Sequence, residues 1–418
     1  MSKTLFVTNI GQLVTFRSGT GPRRGKDMRE LDIIENAGLI AHNGKIAALG
    51  PVKEMEENPL TDNAETVDVG RGVVLPGFCD SHTHPAFMSA RIKDFALRTA
   101  GASYAEIKAQ GGGIMASVAD VRQATQEALK RKVIDRSEKF LMSGTTSIEA
   151  KSGYGLSKES ELKSLRAIVS ASKECPLTIV PTLLAAHSVP PEFADAESYA
   201  RHIATEIIPA VAAEKLAVFV DVFCEKDFFT PEQAGFISKA AFSYGLRTKV
   251  HAEQLTHSGG IAAAAKARAI SADHVDYADG ADMELMKESG VIPVLLPASN
   301  HFLGLSKFPP AREMIDCGLP VALATDFNPG TSPCWNMQFV MSLACTHMKM
   351  TPEEALCAAT VNGAYAMGLG ESAGRLATGL PADFAVMDTD DYRELCYYFG
   401  DNICAMTVKK GEIAYMSE

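Results

Sequence analysis

Eight short runs rich in Val, Ile, Leu and Thr recur along the chain, and longer stretches with helical periodicity separate them. Each run has the length of one buried strand, and strands that alternate with helices are typical of a parallel sheet. The runs read VLPGFCDSHTH, TTSIEAKSGYG, TIVPTLLAAHS, VFVDVFCEK, RTKVHAEQ, AISADHVD, VIPVLLPAS and VALATDFNPG. Eight such units predict an α/β fold, a (β/α)8 barrel of the TIM type.

The stretches between the runs contain signals for helix starts. Thr230 and Thr351 each precede a proline and stand three residues before Gln233 and Glu354, respectively. A threonine N-cap with Gln or Glu at the third helical position forms a capping box, and proline is favoured at the first helical position. Both threonines are therefore predicted to begin helices of the barrel.

The two ends of the chain differ from its middle. Residues 1–75 contain short alternating strands with turn signals, such as LIAHNGKIAALG, and residues 370–418 repeat that character in ADFAVMD and MTVKKGEIAYM. We expect both ends to join into one small β-sandwich domain beside a barrel of residues 76–369.

Composition argues against several classes of function. The formal net charge of −11 disfavours binding to nucleic acid or to an anionic membrane by bulk electrostatics. The first residues lack the pattern of a secretory signal, and no run approaches the roughly 18 apolar residues of a membrane span. The nine cysteines show no CxxC spacing and are interpreted as reduced thiols. We expect a cytoplasmic protein whose partner is a small molecule.

Polar side chains stand where the predicted strands end. In a parallel barrel these ends converge on one mouth, so residues far apart in sequence meet there. His82 and His84 lie two apart in an extended segment, project from the same face and form a pair suited to one cation. The other positions are Glu149, Tyr154, His187, Glu225, His251, Gln254, His274, Asp326 and Asn328. Five histidines and an aspartate at one mouth predict a metal site.

The remaining histidines fit this pattern less well. A single histidine is more often a hydrogen-bonded structural residue than a metal ligand. His202, His257 and His347 are therefore interpreted as structural. His301 follows the seventh strand, and both interpretations stay open for it.

The residues at the strand ends resemble those of a known superfamily. The His-x-His after the first strand, the histidines after the third, fifth and sixth strands and the aspartate after the eighth are similar to the metal-dependent amidohydrolases, which carry a barrel and a small β-sandwich. Within that superfamily the chain resembles the imidazolonepropionases in FALRTAGASYAEI, QGGGI, KSGYGL, LLAAHSVPPEF, DVFCE, HAEQL, SADHVDY and ATDFNPGTSP. This resemblance implies hydrolysis of the ring C–N bond of 4-imidazolone-5-propanoate to N-formimino-L-glutamate, a step of histidine degradation.

The resemblance also implies which residues form the site. It makes one divalent metal ion per chain, Zn2+ or iron (Fe2+/Fe3+), the cofactor. The ligands implied are His82, His84, His251 and Asp326, and the catalytic residues implied are Asp326, His274, His187 and Gln254. The substrate contacts implied are Arg91, Tyr154, His187, Gln254, Asn328, Gly330 and Thr331.

The chemistry of these residues agrees with such a reaction. Three neutral imidazoles and one carboxylate suit zinc or ferrous iron, and a bound cation lowers the pKa of water towards about 7. Asp326 is expected to act as general base and then as general acid, while His274 and His187 donate to the carbonyl oxygen. The guanidinium of Arg91 suits a bidentate contact with the propanoate, although a surface ion pair with Asp94 is an alternative.

Two other functions stay open. A different amidohydrolase, either a cyclic amide hydrolase or a nucleobase-type deaminase, would use the same barrel. A two-metal hydantoinase would need a bridging lysine at the end of the fourth strand, where Glu225 and Lys226 stand. A non-catalytic barrel scaffold would have lost its ligands, whereas all four are present here.

Three segments depart from the pattern of the resemblance and bear on the fit of the substrate. They are Met88–Ala90, Gln254 and Ser299–His301. No sequence feature determines the oligomeric state, and a homodimer is expected because it is the commonest assembly.

Overall fold

Strands and helices alternate through the middle of the chain in the computed structural model, which describes residues 3–417. The strands are β1 (Thr4–Val14), β2 (Ile33–His42), β3 (Lys45–Pro51), β4 (Glu65–Asp68), β5 (Val73–Pro76), β6 (Phe78–Asp80), β7 (Thr145–Lys151), β8 (Thr178–Ala186), β9 (Phe219–Cys224), β10 (Arg247–Ala252), β11 (Ser271–His274), β12 (Ile292–Leu295), β13 (Ala322–Leu323), β14 (Phe384–Met387), β15 (Cys404–Lys409) and β16 (Glu412–Met416).

Most helices lie between the barrel strands. They are α1 (Val52–Glu56), α2 (Ile92–Thr99), α3 (Tyr104–Ala109), α4 (Ile114–Gln123), α5 (Gln126–Met142), α6 (Lys158–Ala171), α7 (Ala196–His202), α8 (Ile208–Ala213), α9 (Pro231–Ser243), α10 (Gly260–Ala267), α11 (Gly280–Ser289), α12 (Pro297–Leu303), α13 (Ala311–Asp316), α14 (Met337–Met348), α15 (Pro352–Cys357), α16 (Gly363–Ala366) and α17 (Glu394–Tyr397). Short 3-10 helices span Gly25–Arg29 and Pro59–Thr61, and π-helical turns span Ile203–Ile207 and Ala358–Asn362. Among residues 3–417, no helix combines the length and apolar composition that crossing a membrane requires.

The eight strands β6 to β13 form a parallel barrel. Each strand pairs with the next along the chain, and the ends of the series meet beyond β6 and β13. There Thr83 forms a parallel bridge with Phe327, and the N–H of Asp326 donates to the carbonyl of His82 at 3.1 Å. The (β/α)8 prediction is confirmed.

The predicted helix starts are confirmed as well. Thr230 accepts a hydrogen bond from the N–H of Gln233 at 3.3 Å, and Thr351 accepts one from Glu354 at 3.4 Å. Both sites form complete capping boxes with proline in the first turn. These caps satisfy N–H groups that the first helical turn otherwise leaves free, and so they define where α9 and α15 begin.

Both ends of the chain join beside the barrel, as the sequence predicts, and the β-sandwich expected there takes the form of one mixed sheet. Its strand order is β16-β15-β14-β5-β1-β2-β3, with β4 paired to β1. Lys45, at the start of β3, bridges back to Pro381 before β14, so the sheet curls over on itself. It encloses an apolar core that includes Leu5, Val7, Leu13, Leu39, Ile46, Val74, Phe384, Val386 and Met406.

The first predicted run is divided between the two parts of the molecule. Its beginning, β5, pairs with β1 and β14 in the sheet, whereas β6 pairs with β7 in the barrel. Gly77 stands at the division, and its N–H donates to the carbonyl of Asp383 at 3.2 Å. The run is therefore two strands rather than one.

Candidate active site

The predicted metal ligands meet at the mouth of the barrel. His82 Nε2 lies 3.1 Å from His84 Nε2, and Asp326 Oδ1 lies 3.6 and 3.5 Å from these two nitrogens. The ring centroid of His251 lies 4.5 Å from that of His82. Ring nitrogens of His82, His251 and His274 lie within 4.8 Å of one another. All five side chains are buried.

This donor set fits a divalent metal ion. Two ligands bonded at about 2.0–2.1 Å to one tetrahedral ion stand about 3.3 Å apart, which agrees with the observed separations of 3.1–3.6 Å. Burial lowers the pKa of His82 and of His84 well below the usual value, so both imidazoles are neutral at neutral pH. A neutral imidazole is the form that binds a metal.

The backbone is strained where two of the barrel strands end. His274, Val275 and Asp326 have φ angles of 77°, 54° and 53°. Residues with a Cβ atom seldom adopt this left-handed region, and each such residue costs about 1–3 kcal/mol unless its surroundings hold it. Strain of this kind is concentrated at functional sites, and here it coincides with the predicted catalytic residues.

Two aromatic side chains line the mouth beside His84. The ring of His187 stacks on His84 with centroids 5.3 Å apart, and the ring of Tyr154 lies 5.4 Å from His187. His187 Nδ1 donates its proton to the carbonyl of Gly153 at 3.0 Å, and burial keeps the pKa of this ring well below its usual value, so Nε2 is left as a hydrogen-bond acceptor for a ligand. A Cβ atom on Gly153, where φ is 104°, would lie 2.9 Å from that nitrogen, so this position requires glycine.

The loop that carries Tyr154 is held by Glu161, a residue that the motifs do not indicate. The buried carboxylate of Glu161 accepts hydrogen bonds from the N–H groups of Gly153, Gly155 and Leu156 at 3.1, 2.7 and 2.8 Å. Three backbone donors on one side chain fix the loop. The sequence does not indicate this role, because Glu161 is an ordinary glutamate of α6 and only the fold brings its carboxylate to the loop.

The guanidinium of Arg91 lies against the turn that follows β13. A Cβ atom on Gly330 would lie 1.4 Å from Arg91 Nη2, so only glycine leaves room for this side chain. Asp94 lies 3.9 Å from Arg91 Nε, and this buried nitrogen has no hydrogen-bond partner among the described residues. The pairing with Asp94 is therefore weak, and the guanidinium keeps donors for an anionic group.

Asn328 shapes this turn. Its Nδ2 donates to the carbonyl of Asp326 at 2.7 Å and to Thr331 Oγ1 at 2.8 Å. Its Oδ1 accepts from the N–H groups of Gly330 and Thr331 at 2.8 and 2.7 Å. These four bonds use the whole capacity of the amide, whereas the hydroxyl proton of Thr331 stays available to a ligand.

Gln254 is half-buried on the loop after β10. Glu225 holds this loop, because its carboxylate accepts hydrogen bonds from the N–H groups of Leu255 and Thr256 at 2.8 and 3.2 Å. Lys226 is exposed. The bridging lysine that a two-metal hydantoinase needs therefore has no counterpart at position 226.

Four other histidines contact residues outside the metal cluster. His202 packs on Phe193, His257 pairs with Asp282, His301 packs on Phe339 and His347 stacks on Phe308. The side chain of His301 is exposed. These contacts agree with structural roles, and His301 joins this group.

Five fully buried charged residues lie on the strands beneath the ligands, and the motifs do not indicate them as a group. They are Glu149, Lys151, Asp221, Lys249 and Asp273. Glu149, which the sequence suggests for the mouth, instead contacts Lys151 Nζ and Lys249 Nζ at 2.8 and 2.9 Å. Burial alone would lower the pKa of Lys151, but Asp221, Glu149 and Asp273 raise it above the usual value. A charged residue inside an otherwise apolar strand is the signal that would have found this layer.

Comparisons with known proteins agree with this geometry. The amidohydrolase family model matches residues 73–414. An imidazolonepropionase of Solibacter usitatus is 44% identical, with 97% of each chain covered, and one of a Geobacillus species is 42% identical, with 99% of each covered. Among solved structures, E. coli guanine deaminase has a TM-score of 0.77 at 15% identity, with 100% of each chain covered, which shows the shared fold. The chain therefore belongs to the amidohydrolase family and, within it, to the imidazolonepropionases, hydrolases that act on the C–N bond of a cyclic amide.

Proposed function

We propose that this protein hydrolyses the ring C–N bond of 4-imidazolone-5-propanoate to N-formimino-L-glutamate with one divalent metal ion, Zn2+ or iron, per chain. The ligands are His82, His84, His251 and Asp326. The observation that carries the proposal is the separation of 3.1–3.6 Å among the ligand atoms of His82, His84 and Asp326, which suits a single ion. The family relationship supports the substrate.

Asp326 moves the proton in this reaction. When bound, the ion supplies a hydroxide nucleophile near neutral pH and draws electrons from the ring carbonyl. Asp326 accepts the proton that water loses, and burial, which raises the pKa of this carboxyl, favours the transfer. It then gives the proton to the ring nitrogen as the C–N bond breaks. The oxygen of the water stays on the carbonyl carbon, which becomes a carboxylate.

His274 stabilises the negative charge that develops on the carbonyl oxygen. Burial lowers the pKa of His274 to about 3, so its ring is neutral and donates through an N–H group. The expected second donor, His187, has the opposite role: its neutral ring gives the Nδ1 proton to the Gly153 carbonyl, so its Nε2 accepts a hydrogen bond from an N–H group of the substrate. Groups that are fixed before the reaction cost no reorganisation in the transition state.

Arg91 binds the propanoate of the substrate through its free guanidinium donors. Tyr154, Gln254 and the hydroxyl of Thr331 contact the ring, and Gly330 leaves space for Arg91. Asn328 contributes by holding the turn, since its own amide is fully hydrogen-bonded.

We also infer a division into a barrel domain, residues 76–369, and a composite domain, residues 1–75 and 370–418. The division at Gly77, between the end of β5 at Pro76 and the start of β6 at Phe78, lies within two residues of the first boundary and supports it. A homodimer and a cytoplasmic location stay predictions, to be measured by analytical ultracentrifugation and by cell fractionation.

The experiment that tests this function follows the ultraviolet absorbance of freshly generated 4-imidazolone-5-propanoate. We expect the absorbance to fall only when metal-loaded protein is present, with N-formimino-L-glutamate as the product. His251→Ala serves as the matched control, and guanine serves as the comparison substrate. If the metal-loaded protein leaves the imidazolone intact, the proposed reaction is wrong.

A further inference from the structure

Two of the proposed ligands contact carboxylates in the buried layer of charges beneath the mouth. His82 Nδ1 lies 2.6 Å from Asp273 Oδ2, and His251 Nδ1 lies 3.0 Å from Asp221 Oδ2. A histidine that gives its Nδ1 proton to a carboxylate keeps Nε2 unprotonated, which is the form that binds a cation. The carboxylates therefore select the ring nitrogen that faces the mouth.

The two contacts differ in strength. His82 makes a direct hydrogen bond with Asp273. The contact between His251 Nδ1 and Asp221 Oδ2 is short, but its direction is not that of a hydrogen bond. Asp273 therefore constrains its histidine more than Asp221 does.

Two buried lysines hold these carboxylates in place. Lys151 Nζ lies 2.6 Å from Asp221 Oδ2 and 3.7 Å from Asp273 Oδ2. Lys249 Nζ lies 3.8 Å from Asp273 Oδ2, and Glu149 Oε2 joins the two ammonium groups at 2.8 and 2.9 Å. All five side chains have no exposure to solvent. These ion pairs hold both carboxylates through Oδ2, whereas Oδ1 of Asp221 and Oδ1 of Asp273 have no hydrogen-bond partner among the described residues.

The layer also reaches the backbone beside the ligands. Lys249 Nζ donates to the carbonyl of Ser81 at 2.7 Å, one residue before His82. Thr182 Oγ1 donates to Glu149 Oε1 at 2.5 Å, so this carboxylate is held at both of its oxygens. The same network thus restrains both the ring of His82 and its main chain.

We propose that Asp273 and, more weakly, Asp221 are positioning residues that hold His82 and His251 as Nε2 ligands and thereby set the affinity for the metal. Lys151, Lys249 and Glu149 keep the two carboxylates in place. This inference rests on the proposed function, because it takes His82 and His251 as ligands of the ion.

The test measures metal affinity of the full chain by competition between the protein and a chelator for Zn2+. Asp273→Asn keeps the shape of the side chain and removes its charge. We expect it to weaken Zn2+ affinity about 10–100-fold, and Asp221→Asn to weaken it less. Cobalt-loaded protein adds a second readout, because the visible absorption of Co2+ shifts when a histidine ligand turns. A role in stability alone would leave both readouts unchanged.

Asp383→Asn is the matched control. Asp383 pairs with Lys409 at the chain-end sheet, in a largely buried Lys–Asp contact that does not involve a proposed ligand. This variant is expected to lower the melting temperature and to leave Zn2+ affinity and the Co2+ spectrum as in the parent. Should Asp273→Asn fail to fold, the double variant with Lys249→Met restores the charge balance and still lacks the carboxylate beside His82.

The outcomes separate this inference from the proposed function. If the parent binds Zn2+ tightly, His251→Ala loses it and Asp273→Asn binds as the parent does, the positioning role is wrong and the metal site stands. If the parent itself binds no Zn2+, the proposed function fails first. Weakened Zn2+ binding in Asp273→Asn, at the melting temperature of the parent, supports the positioning role. If that variant does not fold, weakened Zn2+ binding in the double variant with Lys249→Met supports it.

Discussion

The barrel and the chain-end sheet are both built from buried strands, yet their interiors are opposite in character. Inside the barrel, β7, β9, β10 and β11 turn charged side chains towards one another, as in the pair of Lys151 and Asp221 at 2.6 Å. Inside the curled sheet, the corresponding space is filled by apolar side chains such as Phe384 and Leu39. Both interiors exclude water, but the barrel holds charged side chains there and the sheet holds apolar ones.

This difference separates stability from chemistry. Each apolar side chain buried in the sheet stabilises the fold by about 1.5–3 kcal/mol. A buried ion pair contributes little net stability, because desolvation offsets the attraction between its charges. The buried charges of the barrel therefore add little stability, but they hold histidines in fixed orientations at its mouth. Substitutions in the two interiors should therefore affect different measurements.

The largest effect is expected from His251→Ala. Loss of the ion removes several kcal/mol of transition-state stabilisation, so kcat/KM should fall roughly a thousandfold or more. Metal content per chain, measured on the same sample, should fall with it, while the melting temperature stays near that of metal-free parent protein. Activity that survives with the metal still bound would remove His251 from the ligand set.

The opposite effect is expected in the sheet. Phe384 is fully buried there, and Phe384→Ala should lower the free energy of unfolding by about 3–5 kcal/mol. Well below the melting transition, kcat/KM should match that of the parent, because none of the proposed site residues belongs to this core. Denaturant unfolding together with assays at low temperature checks both halves of the prediction. A large loss of kcat/KM in folded Phe384→Ala would show that the two regions are coupled.

A smaller and more selective effect is expected at the rim of the mouth. Arg91→Ala should raise KM about 10–100-fold, because a charged hydrogen bond contributes roughly 1.5–3 kcal/mol. The metal should stay bound and kcat should change little, whereas Arg91→Lys should recover part of the loss. Arg166→Ala, which removes an exposed guanidinium paired with Glu214, is the control. Unchanged KM in Arg91→Ala would contradict the carboxylate contact.

A last effect changes neither metal binding nor catalysis and concerns the pH dependence of stability. Burial raises the pKa of Asp276 to about 7 from 3.8. The folded state therefore binds this proton more tightly than the unfolded state, and the stabilisation is present at low pH and is lost as pH rises from about 4 to about 7. Asp276→Asn should flatten the unfolding free energy over that window. Identical pH profiles in the parent and the variant would show that Asp276 titrates normally.

Much of the fold follows from local patterns. The capping boxes at Thr230 and Thr351 and the strand periodicity depend on neighbouring residues, and both are confirmed. The division of the first run at Gly77 was not predicted, because pairing partners decide it: Val74 pairs across to Val386, more than 300 residues away. Strand order in the sheet depends on such distant pairs.

At the candidate site, too, local spacing can be predicted from the sequence, whereas contacts between distant residues cannot. The spacing of His82 and His84 is local and visible, and the convergence at the mouth follows from the barrel. The partner of His82 is not visible, since Asp273 is 191 residues away and a charged residue inside an apolar strand does not show which side chain it will contact. Asn328 illustrates a second limit, because only the structure reveals that its four hydrogen bonds are internal.

The most direct measurement titrates metal-free protein with Zn2+ or Fe2+ and follows hydrolysis of 4-imidazolone-5-propanoate at each addition. The proposed site predicts that activity rises linearly and reaches its plateau at about one equivalent per chain. In His251→Ala the same titration should give no plateau. A breakpoint near two equivalents, or full activity in metal-free protein, would contradict a single catalytic ion at the mouth of the barrel.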